Sequence, residues 1–316
     1  MSDLINAGLY KVKKNPVFWI VMVASVISGV VFTVMSSDSY DDMFIVPIYV
    51  LIAIFVSLIC GREYSDGTIR NKVVCGHSKG IIYASTLIIN CGVSLFMAVL
   101  FSVVHLMLRL TVFPIESVLT TGDWANIFFA FVLGGLVYTV TFTLISMLVS
   151  NKALSAIINL VLVIVVMFAS YQLEFLANQP EFIEIEDAFN NVQLTQEEVK
   201  AVQNGTFDGS YYYETLDNGN VVFYKYDSDI TQVPNPNHLK NPFNTIIGTI
   251  DKILPHGQVN FYVSYMTGSI IYRDGIVPAI ERDNSETARQ MPIYSMITVL
   301  LLSVIGYISF RKKELK

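Results

Sequence analysis

The sequence predicts an all-α membrane protein: six transmembrane helices preceded by an N-terminal interfacial elbow helix, with a small α+β extracellular domain between spans five and six. Three observations predict it. Hydrophobic residues make up 53% and charged residues 15% of the 316-residue chain, where an ordinary globular domain carries about 25% charged residues. The apolar residues gather into six runs without a charge, at 16–35, 43–60, 80–108, 124–151, 153–173 and 290–310. A helix of about 20 residues crosses a hydrocarbon core of about 30 Å, so each run is long enough, and the third and fourth have length to tilt or project. Finally, the basic residues are segregated. The segments that share a side with the two termini hold Lys11, Lys13, Lys14, Arg62, Arg70, Lys72, Lys79, Lys152, Arg311, Lys312, Lys313 and Lys316 against four acids, Asp3, Glu63, Asp66 and Glu314. Lys and Arg are retained in the cytoplasm during insertion, which places both termini there.

Residues 1–15 carry an apolar stripe (Leu4, Ile5, Leu9, Tyr10, Val12) between lysines, the pattern of an amphipathic helix lying in the membrane interface. Asn15-Pro16 turns it into the first span, with Tyr10 and Trp19 at headgroup depth. That first run is too long and starts too late for the h-region of a signal peptide, so it is expected to stay as a span. Residues 16–173 hold spans one to five, with a charged loop at 61–79. The last span and tail occupy 291–316.

Residues 174–290 differ in kind: acidic, richer in proline and free of cysteine. They are expected to form the outward-facing domain. Thr195-Gln-Glu-Glu198 is a capping box that opens a short helix ending at Asn204-Gly205. A β-hairpin is expected over about 210–226, its strands joined by Asp217-Asn218-Gly219-Asn220. Phe243, Ile246, Ile247, Ile250, Ile253 and Leu254 recur at helical spacing, so an amphipathic helix is expected over about 242–254, stopping at Pro255.

Several chemistries are excluded. The net charge of -6 leaves no basic footprint for nucleic acid. Three cysteines, an odd number in or beside apolar runs, do not make a disulfide scaffold. There is no G-x-x-x-x-G-K-[ST], no H-E-x-x-H and no C-x-x-C, and His77, His105, His238 and His256 are scattered without ligand spacing, so no metal site is expected. The uncharged runs also lack the buried ionisable group that a proton-coupled transporter needs. His105, near the outer end of the third run, reads as an interfacial hydrogen-bonding residue. The chain offers a membrane path without an engine, and the engine is expected on another subunit.

The loop at 61–79 is Gly-Arg-Glu-Tyr-Ser-Asp-Gly-Thr-Ile-Arg-Asn-Lys-Val-Val-Cys-Gly-His-Ser-Lys. Residues 68–74 can form a short amphipathic helix with Ile69, Val73 and Val74 inward and Glu63, Arg70, Lys72 and Lys79 facing the cytoplasm. On topology alone, a loop resting its basic residues on lipid phosphates is the favoured reading. The segment Glu63-Tyr-Ser-Asp-Gly67-Thr68-Ile69-Arg70, with the elbow pattern, the six spans, Leu254-Pro255-His256-Gly257-Gln258 and the closing Phe310-Arg-Lys-Lys-Glu-Leu-Lys316, resembles the permease subunits of bacterial type-2 ATP-binding-cassette (ABC) exporters. The resemblance covers about 1–175 and 240–316 and does not reach the insertion between them. It implies that the loop is a coupling helix seated in a cleft of a separate ATPase subunit, with Glu63, Thr68, Arg70 and Asn71 in contact and Gly67 permitting the turn; exposed ion pairs there are each worth about 0–1 kcal/mol, so apolar contact from Ile69 or Val73 is expected as well. It implies no cofactor on this chain, ATP and Mg on the ATPase, and a second permease copy or paralogue across the pathway. The Ser150-Asn151-Lys152 turn is either a second, smaller contact or a simple tight turn.

Ser25, Ser28, Gly29, Ser57, Thr139, Thr141 and Thr143 suit close helix contact, either between two permeases or within one. Tyr211, Tyr212, Tyr213, Tyr224 and Tyr226 can bind an amphipathic ligand or pack across the hairpin. The expectation is a multi-pass protein of a bacterial plasma membrane, surrounded by lipid, that exports a hydrophobic or amphipathic compound (antimicrobial peptide, lipid or drug) without itself being an enzyme. The alternative is a membrane-anchored sensor whose outer domain binds a ligand without transport.

Overall fold

In hydrocarbon a chain must bond its own N–H and C=O groups, and long uncharged runs do so as helices. The computed structural model describes residues 1–35, 46–113, 121–177, 179, 181–186, 191–206, 211–216, 220–226, 230–258 and 284–314. Most of them are helical. In chain order the elements of the first half are α1 (Ser2–Lys14), α2 (Pro16–Met35), α3 (Val46–Ser65), α4 (Thr68–Val74), α5 (Lys79–Thr111), α6 (Thr121–Val149) and α7 (Lys152–Ala177). Then follow β1 (Phe182–Glu186), β2 (Asn191–Gln193), α8 (Gln196–Gln203), β3 (Tyr211–Thr215), β4 (Val221–Tyr226), β5 (Ile230–Pro234), α9 (Phe243–Ile253) and α10 (Asn284–Lys312). Among the described residues six helices, α2, α3, α5, α6, α7 and α10, are long and apolar enough to cross a membrane, α6 from Phe128 and α10 from Gln290. This is a multi-pass membrane protein.

Two compact units divide the chain: Met1–Glu174 with Thr245–Lys316, and Phe175–Asn244. In the first unit, α1 packs on α5, burying Leu4 and Val12. Gly8 permits the approach, since a Cβ there would strike Ile89. Asn15 makes the corner: its backbone is extended, and its Oδ1 accepts the Val17 N–H at 3.1 Å, capping α2 behind Pro16. The Trp19 indole ties the corner back by donating to the Lys13 carbonyl at 3.0 Å.

The spans pack as α2 on α5, α3 on α6, and α10 against both α5 and α6. Aromatic side chains fill the centre, with Tyr49 4.7 Å from Tyr138 and Phe101 5.2 Å from Phe131, ring centre to ring centre. The α5–α10 crossing is a reciprocal fit. Tyr307 lies where a Cβ on Gly80 would be, and Tyr83 where one on Gly306 would be. α5, with 33 residues, extends about 50 Å at 1.5 Å per residue, and its last turn carries a buried Arg109 beyond the uncharged run. One turn earlier, His105 Nδ1 lies 3.0 Å from Thr33 Oγ1, a hydrogen bond between α5 and α2.

Polar side chains hold the bundle from inside. Asn159 of α7, fully buried, donates to Ser57 Oγ of α3 at 2.8 Å and to Ser146 Oγ of α6 at 3.0 Å. Asn90 of α5 donates to Thr143 Oγ1 of α6 at 3.0 Å and to Cys60 Sγ of α3 at 3.4 Å. Ser57 and Thr143 are therefore bonded within one chain, as is Thr33; Ser25 and Thr139 are buried and bond to their own helices. Ser155, Asn159, Val163 and Met167 form the buried stripe of α7 at four-residue spacing. Ile157, Val161, Val165 and Phe168 on its other side are exposed, as a lipid-facing surface is.

In the second unit, β1 pairs antiparallel with β5 from Phe182↔Pro234 to Glu186↔Ile230. A separate three-stranded sheet has the order β2-β4-β3, with β3 and β4 in register from Tyr211↔Lys225 to Thr215↔Val221. The Asp217–Gly219 turn of that hairpin lies outside the described residues. Thr195 and Glu198 form the reciprocal capping box at the start of α8.

Replacing Asn159 by alanine strands two hydroxyls on two helices. Buried interhelical hydrogen bonds in membranes are worth about 0.6–2 kcal/mol. Asn159→Ala is expected to lower stability by about 1–2 kcal/mol, read as a fall in thermal unfolding temperature in detergent, with Ser155→Ala as the milder control.

Candidate functional site

The loop between α3 and α5 is built from two glycine turns and one buried anchor. α3 ends at Ser65, and Gly67, at φ 65, turns the chain into α4; a residue with a Cβ would be strained there. α4 closes with Gly76 at φ 89, where Gly76 N–H bonds the Val73 carbonyl and His77 N–H the Lys72 carbonyl. This pair of bonds is a Schellman cap. Ser78 then caps α5 by accepting the Ile81 N–H at 3.4 Å.

Ile69 is the anchor, 1% exposed in the core, with Val73 packed against the core beside it. Val74, expected inward, is 85% exposed. Helix geometry explains the difference: at about 100° per residue, Val73 lies about 40° from Ile69 but Val74 about 140° away. Glu63 and Lys72, expected to face outward, pair with each other at 2.6 Å with both side chains 15% exposed, which fastens α4 to the end of α3. Arg62 and Asp66 form a looser pair at 3.7 Å, exposed and worth about 0–1 kcal/mol. What remains on the open face of α4 is Arg70, Asn71, Val74 and Cys75, at i, i+4 spacing. Thr68 is half-buried.

Lys313, in the closing 310–316 segment, organises the same end of the bundle. Lys313 Nζ donates to the Met147 and Leu148 carbonyls at 2.7 Å each, the last of α6, and to Ser150 Oγ. It also lies 3.1 Å from Tyr64 OH, and Tyr64 OH bonds the Met147 carbonyl. A cation at a helix C-terminus satisfies carbonyls that the helix leaves open. Burial brings the Lys313 ammonium down to about 8. Lys79 Nζ donates in turn to the Lys313 carbonyl at 2.6 Å. Ser150 adopts φ 60, and Asn151 Oδ1 caps α7 by accepting Ala153 and Leu154 N–H groups at 3.0 and 3.1 Å. The 150–152 turn is thus tied to the tail, and a cavity of about 510 Å³ lined by Gly67, Ile69, Arg70, Ser150 and Lys313 separates it from α4.

Of the hairpin tyrosines, Tyr213 and Tyr224 have described side chains. Tyr213, 65% exposed, stands opposite Phe223 with ring centres 6.0 Å apart. Tyr224 follows Phe223 along β4 and so points to the other face of the sheet. The side chains of Tyr211, Tyr212 and Tyr226 lie outside the described residues. Among the described residues no group of His, Cys, Asp and Glu has metal-binding geometry.

Past α9 the chain turns at Leu254 and continues helically over 255–258. Here lies a buried polar cluster that takes in Asp251 of α9 and His256 and Gln258 of the 254–258 segment. Asp251 is buried under Gly257, and burial, then the nearby Glu174, pushes its carboxyl up to about 7 against the pull of Lys252. His256, buried with its ring 5.5 Å from Tyr171, is held down to about 4 by desolvation. Gln258 accepts from Ser295 of α10 at 2.6 Å and donates to the Lys252 carbonyl at 2.8 Å.

No protein-family model matches the chain, and the search of curated proteins finds no relative.

The Asp251 shift has a definite sign. Its folded value lies above the ordinary carboxylate value, so the stability it contributes is present below about 4 and is lost as pH rises to about 7. His256 works the other way, losing its contribution as pH falls from about 6.5 to about 4. Asp251→Asn is therefore expected to raise the unfolding temperature at pH 8 and to leave the loss on the acid side in place, measured as thermal stability against pH.

Proposed function

We propose that this chain is the membrane-spanning permease subunit of a bacterial ABC exporter, coupled through α4 to a separate cytoplasmic ATPase that carries ATP and Mg. The observation that supports this best is the two-sidedness of α4. One side is fixed to the bundle by Ile69 and by the Glu63–Lys72 pair, while the other offers Arg70, Asn71, Val74 and Cys75. A helix of that kind transmits a push, because a displaced outer face must carry α3 and α5 with it. On this reading Arg70 and Asn71 supply polar contacts and Val74 the apolar one, Glu63 and Gly67 set the helix direction, and Thr68 starts it. Both termini are cytoplasmic, α1 is the interfacial elbow, and Phe175–Asn244 faces outward. A second permease copy or paralogue completes the path, and the cargo is a hydrophobic or amphipathic compound such as an antimicrobial peptide, lipid or drug.

The separate compactness of Phe175–Asn244 favours one rival, a membrane-anchored sensor that binds a ligand outside and moves nothing. Co-expression with the ATPase encoded beside the gene separates the two. The exporter reading expects co-purification, with recovery of the ATPase reduced about tenfold or more, about 1.4 kcal/mol, by Val74→Asp or Arg70→Glu and little changed by Arg62→Ala. A chain that purifies without any ATPase, wild type and variants alike, overturns it in favour of the sensor.

A further inference from the structure

A second cavity, of about 330 Å³, lies between α1, the end of α3 and α5, within the size range of small-molecule sites. Lys11, Lys14 and Arg62 line it, and all three are exposed. Glu63, Thr86 and Asn90 line it as well. Asn90 is fully buried; its Nδ2 is spent on Thr143 and Cys60, and its Oδ1 has no partner among the described residues. Glu63 Oε1 takes the Lys72 ammonium, while its buried Oε2 has no partner among them either. Thr86 gives its proton to the Ile82 carbonyl at 3.0 Å, leaving its oxygen to accept. The cavity thus joins cations to buried acceptors that call for a donor, since an unmet buried acceptor is destabilising. The remaining charge is accounted for: Asp66 faces Arg62 at 3.7 Å.

The position selects the ligand. α1 is an amphipathic helix with Leu4 and Val12 buried on α5, and Leu9, Tyr10 and Trp19 exposed around the corner. Helices of this kind lie at the depth of lipid headgroups, and on α5 Ile88, beside the lining residue Ile89, is exposed as a surface for an acyl chain.

We propose that this cavity binds one phospholipid headgroup, its phosphodiester on Lys11, Lys14 and Arg62 and a terminal hydrogen-bond donor on Glu63 Oε2 and Asn90 Oδ1. Phosphatidylethanolamine, through its ammonium, and phosphatidylglycerol, through its hydroxyls, meet this requirement. Phosphatidylcholine keeps the phosphate and lacks the donor. The site shares Glu63 with the proposed coupling loop but none of Arg70, Asn71, Val74 and Cys75, so lipid retention is read separately from ATPase docking.

The test uses the full chain, purified in detergent, stripped of lipid and offered these three lipids with matched acyl chains, retention being read by native mass spectrometry. Phosphatidylethanolamine and phosphatidylglycerol are expected to be retained at least about tenfold over phosphatidylcholine, a gap of about 1.4 kcal/mol. The double variant Lys11→Glu/Lys14→Glu, at exposed positions, is expected to lower their retention by a similar factor without changing the unfolding temperature in detergent. Asn90→Ala is expected to erase the preference for donor-bearing headgroups. Equal retention of phosphatidylcholine, or full retention by the double variant, overturns the site. Displacement of bound lipid by an equal concentration of soluble phosphoethanolamine overturns the membrane as its source.

Discussion

Hydrocarbon gives a buried polar group no solvent to fall back on, and in this bundle the Nδ2 groups of two asparagines answer that constraint across helices. Asn159 reaches from α7 to α3 and α6, and Asn90 from α5 to α6 and α3. The hydrophobic effect does not drive helices together in lipid, so packing and such bonds decide which helices are neighbours. Both asparagines meet α3 and α6, and their side-chain partners there are hydroxyls or a thiol. The aromatic packing of Tyr49, Tyr138, Phe101 and Phe131 then fills the space that these bonds define.

The end of the bundle that carries the termini is ordered by charge. Lys313 closes the last carbonyls of α6, Lys79 holds the Lys313 carbonyl, and Lys72 neutralises Glu63. Through these three lysines the end of α10, the start of α5, the 150–152 turn and α4 become mechanically continuous. The proposed coupling role draws on that continuity: a force on the outer face of α4 meets no slack before it reaches the spans. On the described outer face of α4, Arg70, Asn71, Val74 and Cys75 take no part in these lysine contacts.

The spans were legible because hydropathy accumulates along a helix whatever its neighbours, and the capping box at Thr195 and Glu198 because its signal is complete within four residues. The β3–β4 hairpin was readable from its turn sequence for the same local reason. The pairing of β1 with β5 was not, since no local pattern joins residues 182–186 to 230–234. Ser57 and Thr143 left two interpretations open until Asn159 and Asn90 were found facing them. At the candidate site, helical spacing placed Ile69 inward but was applied too broadly at Val74, where one further residue turns the side chain out. The Glu63–Lys72 pairing and the carbonyl-capping role of Lys313 were not legible, because sequence counts ions and does not show which are already paired.

The central claim is that α4 is a cytoplasmic docking helix with its outer face open. Cys75 stands on that face and is exposed, whereas Cys60 is buried. Labelling Cys75 with a membrane-impermeant maleimide in intact cells and in inside-out vesicles tests the claim most directly. The account predicts labelling in inside-out vesicles alone, and protection when the ATPase is bound; labelling of Cys75 from outside intact cells would contradict it.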